Sequence, residues 1–194
     1  MEDRIASTLQ DQLAQALKAI YQEHLQLQAG LDYRSLAKLI NEINSADKIF
    51  LMGMGRSGLM MKASAMRLMH LGYQTYVVGE TTTPAIGQGD LLITGSGSGT
   101  TTSIVRAAAT SKEAGARNLC FTTAIESELA RLSDEVIVLP AAQKLEQKEQ
   151  LSTQYAGSLF EQALLLVFDS TIQVLWKSGG STTSELWKRH ANLE

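Results

Sequence analysis

Between residues 5 and 27 apolar side chains recur every three or four positions (Ile5, Leu9, Leu13, Leu17, Ile20), with His24 on the same stripe. That period predicts an amphipathic helix. Gly30 interrupts it, and Asp32 is placed to cap a second helix reaching about Ser45, with Leu36, Leu39, Ile40 and Ile43 as its apolar side. The pattern then changes. Short apolar runs bounded by glycines occur at 48–52, 74–78, 90–94, 117–121 and 135–139. Near-continuous apolar runs of that length predict strands buried on both faces, as in a parallel sheet. The intervals at 57–71, 100–114 and 125–132 read as helices, and 79–89, with Pro84 and three glycines, reads as a loop. Gln143 to Gln150 is polar and reads as a solvated connection; 152–176 reads as a long helix apolar on most faces, and 182–190 as a short one. Alternation of strand and helix predicts a doubly wound α/β fold with about five parallel strands.

Composition narrows this picture. A chain of 194 residues suits one domain, here expected as N-terminal helices (1–46), an α/β core (47–140) and C-terminal helices (151–194). Seventeen Lys and Arg against 20 Asp and Glu give a net charge of -3, which disfavours a protein built to grip nucleic acid through phosphates. Cys120 is alone and cannot form an internal disulfide, and three scattered histidines lack metal-ligand spacing. The acidic start, Met1-Glu-Asp-Arg, is unlike a signal peptide. Glu161, Gln162, Asp169 and Ser170 interrupt the long apolar helix, leaving it short of the ~18 uninterrupted apolar residues of a membrane span. The expectation is a cytoplasmic protein. A helix apolar all round must nevertheless be covered on all sides, which one domain of this size does only in part, so subunit contacts are expected.

Two glycine loops carry the candidate chemistry. The run at 48–52 leads into Gly53-Met-Gly55-Arg56-Ser57-Gly58, and the run at 90–94 into Gly95-Ser96-Gly97-Ser98-Gly99-Thr100-Thr101, each opening a helix. Aligning Gly53 with Gly95 and Gly55 with Gly97 makes them two copies of one strand–loop–helix design. Such loops turn backbone N–H groups and a helix N-terminus onto an anion, and Ser57, Ser96, Ser98, Thr100 and Thr101 would add neutral donors. The simpler reading is that the glycines make tight turns and the hydroxyls cap helices. A nicotinamide-binding fold is a sharper rival for the first loop, because Glu80 lies about 20 residues beyond it, where a carboxylate would meet a ribose 2′-OH. That rival leaves little chain for a substrate domain and no use for the second loop. A P-loop is excluded by the lack of Gly-Lys-Ser/Thr.

The run Ser96-Gly-Ser98-Gly-Thr100-Thr101 after a buried strand resembles the phosphate loop of the sugar-isomerase (SIS) domain family. GMGRSG at 53–58, RLMHLG at 67–72, VVGETTTP at 77–84, SGSGTTT at 96–102, QYAGSLFEQ at 154–162 and RHANLE at 189–194 narrow the resemblance to the 6-phospho-3-hexuloisomerases, nearly end to end. Many SIS enzymes carry glutamate where this chain has Thr100. The resemblance implies a three-layer, flavodoxin- or Rossmann-like fold. It also implies conversion of D-arabino-3-hexulose 6-phosphate to D-fructose 6-phosphate in the ribulose monophosphate pathway of formaldehyde fixation. No metal or organic cofactor is implied, and the assembly is a dimer or tetramer with sites at subunit interfaces.

Moving the carbonyl from C3 to C2 requires removal of the C2 proton, a cis-enediol, and return of a proton to C3. The residue matching the family's base is Glu161, set among Leu159, Phe160, Ala163 and Leu164. His190 matches the group that serves as general acid, opens the ring or exchanges protons between oxygens, and its place near the chain's end suggests that it reaches a neighbouring subunit. Read alone, Glu161 would be a solvated helix residue and His190 a helix-end histidine favourable to the dipole. Arg56 is expected on substrate oxygens or phosphate, with Gly55 and Ser57 beside it. Glu80 and Thr81 are expected to face the sugar hydroxyls, and Gly97 to lie in the phosphate loop. His70 reads as structural, His24 as an interface contact, Cys120 as an inert core residue, and Trp176, Trp187 and the methionines Met60, Met61, Met66 and Met69 as core or subunit packing. A non-catalytic sugar-phosphate-binding SIS module is the rival in kind.

Overall fold

In the computed structural model, residues 2–141, 152–180 and 182–193 are described, with side chains from Thr8 onward. The polar connection expected at 143–150 lies outside the described residues. Two helices, α1 (Glu2–Ala29) and α2 (Tyr33–Ser45), precede an alternating core. The core runs β1 (Ile49–Gly53), α3 (Gly55–Leu71), β2 (Thr75–Val77), β3 (Leu91–Gly95), α4 (Thr102–Glu113), β4 (Arg117–Thr122), α5 (Glu128–Leu132) and β5 (Glu135–Val138). Helices α6 (Ser158–Gly179) and α7 (Thr183–Trp187) follow. As expected from the sequence, Asp32 caps α2, accepting from the Arg34 N–H.

The five strands form one parallel sheet in the order β2-β1-β3-β4-β5. Successive strand residues supply opposite faces. Ile49, Leu51, Ile93, Leu119 and Phe121 face a core shared with α2, α3 and α6, whereas Phe50, Leu92 and Cys120 face a smaller core under α4 and α5. Leaving β1 for β2 on one side and returning for β3 on the other opens a crevice at the carboxyl ends of β1 and β3, the usual ligand position in open α/β sheets. The edge strands depart from expectation: all three residues of β2 and most of β5 are only half-buried, because among the described residues no strand pairs with their outer sides.

Other expectations need correction at element ends. The last long helix starts at Ser158 and not at 152. Ala156 (φ 44°) and Gly157 (φ 79°) take left-handed backbone, which stops a right-handed helix from extending backwards. The final helix is shorter than 182–190, with a capping box between Thr182 and Glu185 at its start and a turn after Trp187. Helix α6 is long and apolar enough to cross a membrane by length and composition. Here it is the central helix of the larger core, with Leu159, Leu164, Phe168 and Leu175 buried.

Candidate active site

Parallel register sets Gly53 beside Gly95, so both glycine loops leave the sheet at neighbouring points of its carboxyl edge. In the first, a Cβ on Gly58 would stand 2.7 Å from the Gly53 carbonyl oxygen. Only glycine lets the first turn of α3 rest directly on the end of β1. No side chain caps α3, so its first amides face the crevice with the partial positive charge of a helix N-terminus.

The second loop is tied by its own hydroxyls. Ser96 is buried, and its Oγ accepts from the Gly99 N–H (3.2 Å) and pairs with Thr101 Oγ1 (3.1 Å). Ser98 Oγ accepts from the Thr100 N–H (3.3 Å) and from Thr100 Oγ1 (3.1 Å). None of these hydroxyls caps α4, so helix capping does not account for them. The loop is pinned from β4 by residues that pattern reading passed over. Thr122 and Thr123 both donate their hydroxyls to the Gly97 carbonyl (3.1 and 2.9 Å), and Ser127 and Thr122 pack where a Gly99 Cβ would lie. Gly99 has φ 62°, which together with that contact requires glycine. The signal in the sequence was the second hydroxyl run after an apolar strand, Thr122-Thr123.

Helix α6 closes the crevice. The Phe160 ring lies 3.4 Å from the position of a Gly97 Cβ, and Leu164 covers Gly95. Glu161, between them in sequence, is 3% exposed. Its Oε2 accepts from Arg56 Nη1 at 3.2 Å, and the same nitrogen donates to Ser158 Oγ at 2.9 Å. A carboxylate buried at an apolar helix start, paired with the half-exposed Arg56 guanidinium, thus lies away from water beside the two glycine loops. Ser158 is a further site residue that spacing did not flag, one turn before Glu161.

The remaining candidates divide. Ser57 is buried in the first turn of α3. Glu80 and Thr81 follow β2 and are exposed, and the Glu80 carboxylate is paired with Lys62 at 2.6 Å. His190 is not brought to Glu161 within the chain. Its ring stacks on His70 in the last turn of α3, and at 1.5 Å rise per residue that turn lies about 20 Å from Arg56. Cys120 is fully buried, and burial pushes its thiol up to about 11, as suits an inert core residue. Among the methionines, Met61 is core, whereas Met66 and Met69 are exposed, as is Trp187. His24 hydrogen-bonds Gln162 on α6 at 2.9 Å.

The SIS domain family profile matches residues 42–169, spanning both loops and Glu161. The chain belongs to the SIS domain family. It is 45% identical over 192 residues to a 3-hexulose-6-phosphate isomerase from Mycobacterium gastri, covering 99% of this chain and 96% of that one. A 3-hexulose-6-phosphate isomerase from Bacillus subtilis is 42% identical over 158 residues, covering 81% and 85%. A crystal structure from Methanococcus jannaschii, from which the molecular function of 3-hexulose-6-phosphate isomerase was inferred, superposes with a TM-score of 0.80 at 34% identity. It covers 93% of this SIS chain and 99% of that one.

Proposed function

We propose that this chain isomerises D-arabino-3-hexulose 6-phosphate to D-fructose 6-phosphate, a step of formaldehyde fixation by the ribulose monophosphate pathway. The observation that carries the reading is Glu161, a buried carboxylate at the loop-bearing sheet edge of a chain 45% identical, over 99% of its length, to a 3-hexulose-6-phosphate isomerase. The substrate is a phosphorylated sugar. Its phosphate sits on Ser96, Gly97, Ser98, Thr100 and Thr101, with Gly55, Arg56 and Ser57 at the adjoining helix start and Glu80 and Thr81 toward the sugar hydroxyls. Glu161 takes the proton from C2, giving a cis-enediol, and returns it to C3. The proton on the C2 oxygen leaves and the C3 oxygen gains one, so C2 ends as the carbonyl. Arg56 moves from Glu161 to the oxygens that gain charge, which frees the carboxylate as the substrate arrives.

A single SIS domain covers 1–194, with the N-terminal helices at 1–46, the core at 47–140 and the C-terminal helices at 151–194. The working unit is a cytoplasmic homo-oligomer, dimer or tetramer, with each site completed by His190 of the partner subunit. The separation of His190 from Glu161 within one chain supports that arrangement.

The test is formation of fructose 6-phosphate from 3-hexulose 6-phosphate generated in place by a separate synthase, with chelator present. Many turnovers per subunit are expected. Tight sugar-phosphate binding without product would make the chain a non-catalytic sugar-phosphate-binding module. Glu161→Gln is expected to lower kcat at least 100-fold with folding intact, within the range for loss of an acid–base group of about 10²–10⁴. Mixing inactive Glu161→Gln and His190→Ala subunits under exchange conditions is expected to restore activity. No recovery would return both groups to one chain.

A further inference from the structure

We propose that His70 positions His190 for proton transfer, so that it is a positioning residue of the isomerisation. The inference rests on the reading of His190 given above. His70 lies in the last turn of α3, 7% exposed, and its ring stacks on that of His190 with centroids 3.9 Å apart and planes inclined by 21°. Trp187 flanks the same ring at 4.8 Å. His190 Nδ1 lies 3.1 Å from the Leu186 carbonyl oxygen. A carbonyl can only accept, so Nδ1 carries the hydrogen and Nε2 is left as the atom that exchanges protons. Three contacts therefore fix one imidazole in plane and tautomer, beside a cavity of about 340 Å³ that Arg67, Asp169, Gln173 and Trp176 also line.

Packing alone does not account for His70. Its Nδ1 is buried with no hydrogen-bond partner among the described residues, a cost that an apolar side chain of similar size would not carry. The groups facing it are Arg67 from its own helix, Asp169 from α6, and His190 and Arg189 from the chain's end, where Arg189 Nη1 donates to the His70 carbonyl at 3.0 Å. Burial first, then the charges of His190 and Arg67, hold His70 below the ordinary histidine range. It accordingly stays neutral at pH 7 and offers His190 an uncharged aromatic face.

The experiment compares His70→Ala, His70→Phe and His190→Ala as full chains, measuring kcat, KM and the ring ¹⁵N shifts of His190. His70→Ala is expected to lower kcat about 10- to 100-fold, the scale of a misplaced reacting group. Its KM stays within about twofold of the native value, and its His190 signals change from one tautomer to a mixture. His70→Phe, which keeps an aromatic face, is expected to hold the single tautomer and recover most of the turnover. If His70→Ala does not fold, His70→Leu replaces it, retaining bulk without stacking. Native kcat in His70→Ala alongside an inactive His190→Ala overturns the proposal, as does lost turnover with unchanged His190 signals. Native turnover in His190→Ala overturns the reading of His190 itself, and the two failures are thereby told apart.

Discussion

Glu23 accepts hydrogen bonds from Ser152 Oγ (2.7 Å), the Thr153 N–H (2.7 Å), Thr153 Oγ1 (2.8 Å) and Gln154 Nε2 (2.8 Å). It fastens the turn that leads into α6 and hence the approach to Glu161. Burial by itself would raise this carboxyl, but the bonds from Gln154, Thr153 and Ser152 together outweigh it and leave it lowered. A carboxyl lowered on folding adds stability that is present above its unfolded value, ordinarily about 4.3, and lost as pH falls through its folded value. Glu23→Gln is therefore expected to cost about 2 kcal/mol at pH 7, with the gap to the native protein narrowing in acid below the ordinary carboxyl range. Urea unfolding at pH 7 and at about pH 3 measures it, and a gap that does not change with pH would refute the assignment. In the sequence Glu23 is one polar residue among many on an amphipathic helix. Its partners are about 130 positions away, and no local period reports such a contact. Cys120 was legible for the opposite reason, since its strand neighbours Leu119 and Phe121 already imply burial.

Elements announce themselves where local chemistry and tertiary role agree. The central strands β1, β3 and β4 follow their apolar runs closely because both faces are covered. The start of α6 was misplaced because Tyr155 and Ala156 continue the apolar pattern, while the left-handed turn at Ala156 and Gly157 and the grip of Glu23 end the helix from outside it. The two glycine loops could be paired from sequence, because close approach of helix to strand demands glycine at fixed places. That demand is testable at the joint between β1 and α3. Gly58→Ala would drive a methyl into the Gly53 carbonyl, which is backbone and cannot swing away. The helix start must lift from the sheet, at a cost of about 1–3 kcal/mol for overpacking. Lifting it moves the amides proposed to meet the substrate and leaves Glu161 on α6 in place, so KM is expected to rise more than kcat falls. Unfolding and steady-state kinetics on one preparation check both parts, and native stability would show that the joint is looser than its geometry.

At the scale of the molecule, α1 is longer than the fold it serves. Its last turns dock on the core and α6 through Leu27 and His24 while Glu23 holds the turn before α6, but Leu9, Leu13, Leu17, Tyr21 and Leu25 form a stripe at four-residue spacing that remains exposed, Leu13 at 71%. The stripe continues into a groove of about 580 Å³ between α1, α2 and α6, lined by Leu25, Leu31, Leu36 and Leu166 among others. This groove is apolar and lies away from Glu161, so it suits a surface and not the reaction. A continuous apolar face of this kind marks an association site, and in a symmetric dimer the same patch serves both partners. If copies of this chain associate through it, Leu13→Glu combined with Leu17→Glu buries two charges at the contact. It is expected to lower the mass seen by light scattering while circular dichroism keeps the native helix signal. Ile125→Glu, equally exposed but on the α5 side, is expected to leave the mass unchanged. Because Glu161 and His190 are proposed to meet only across subunits, the double variant also loses turnover per subunit, progressively as it is diluted. A monomer that kept full activity at every concentration would separate the apolar face from the site and place both catalytic groups within one chain.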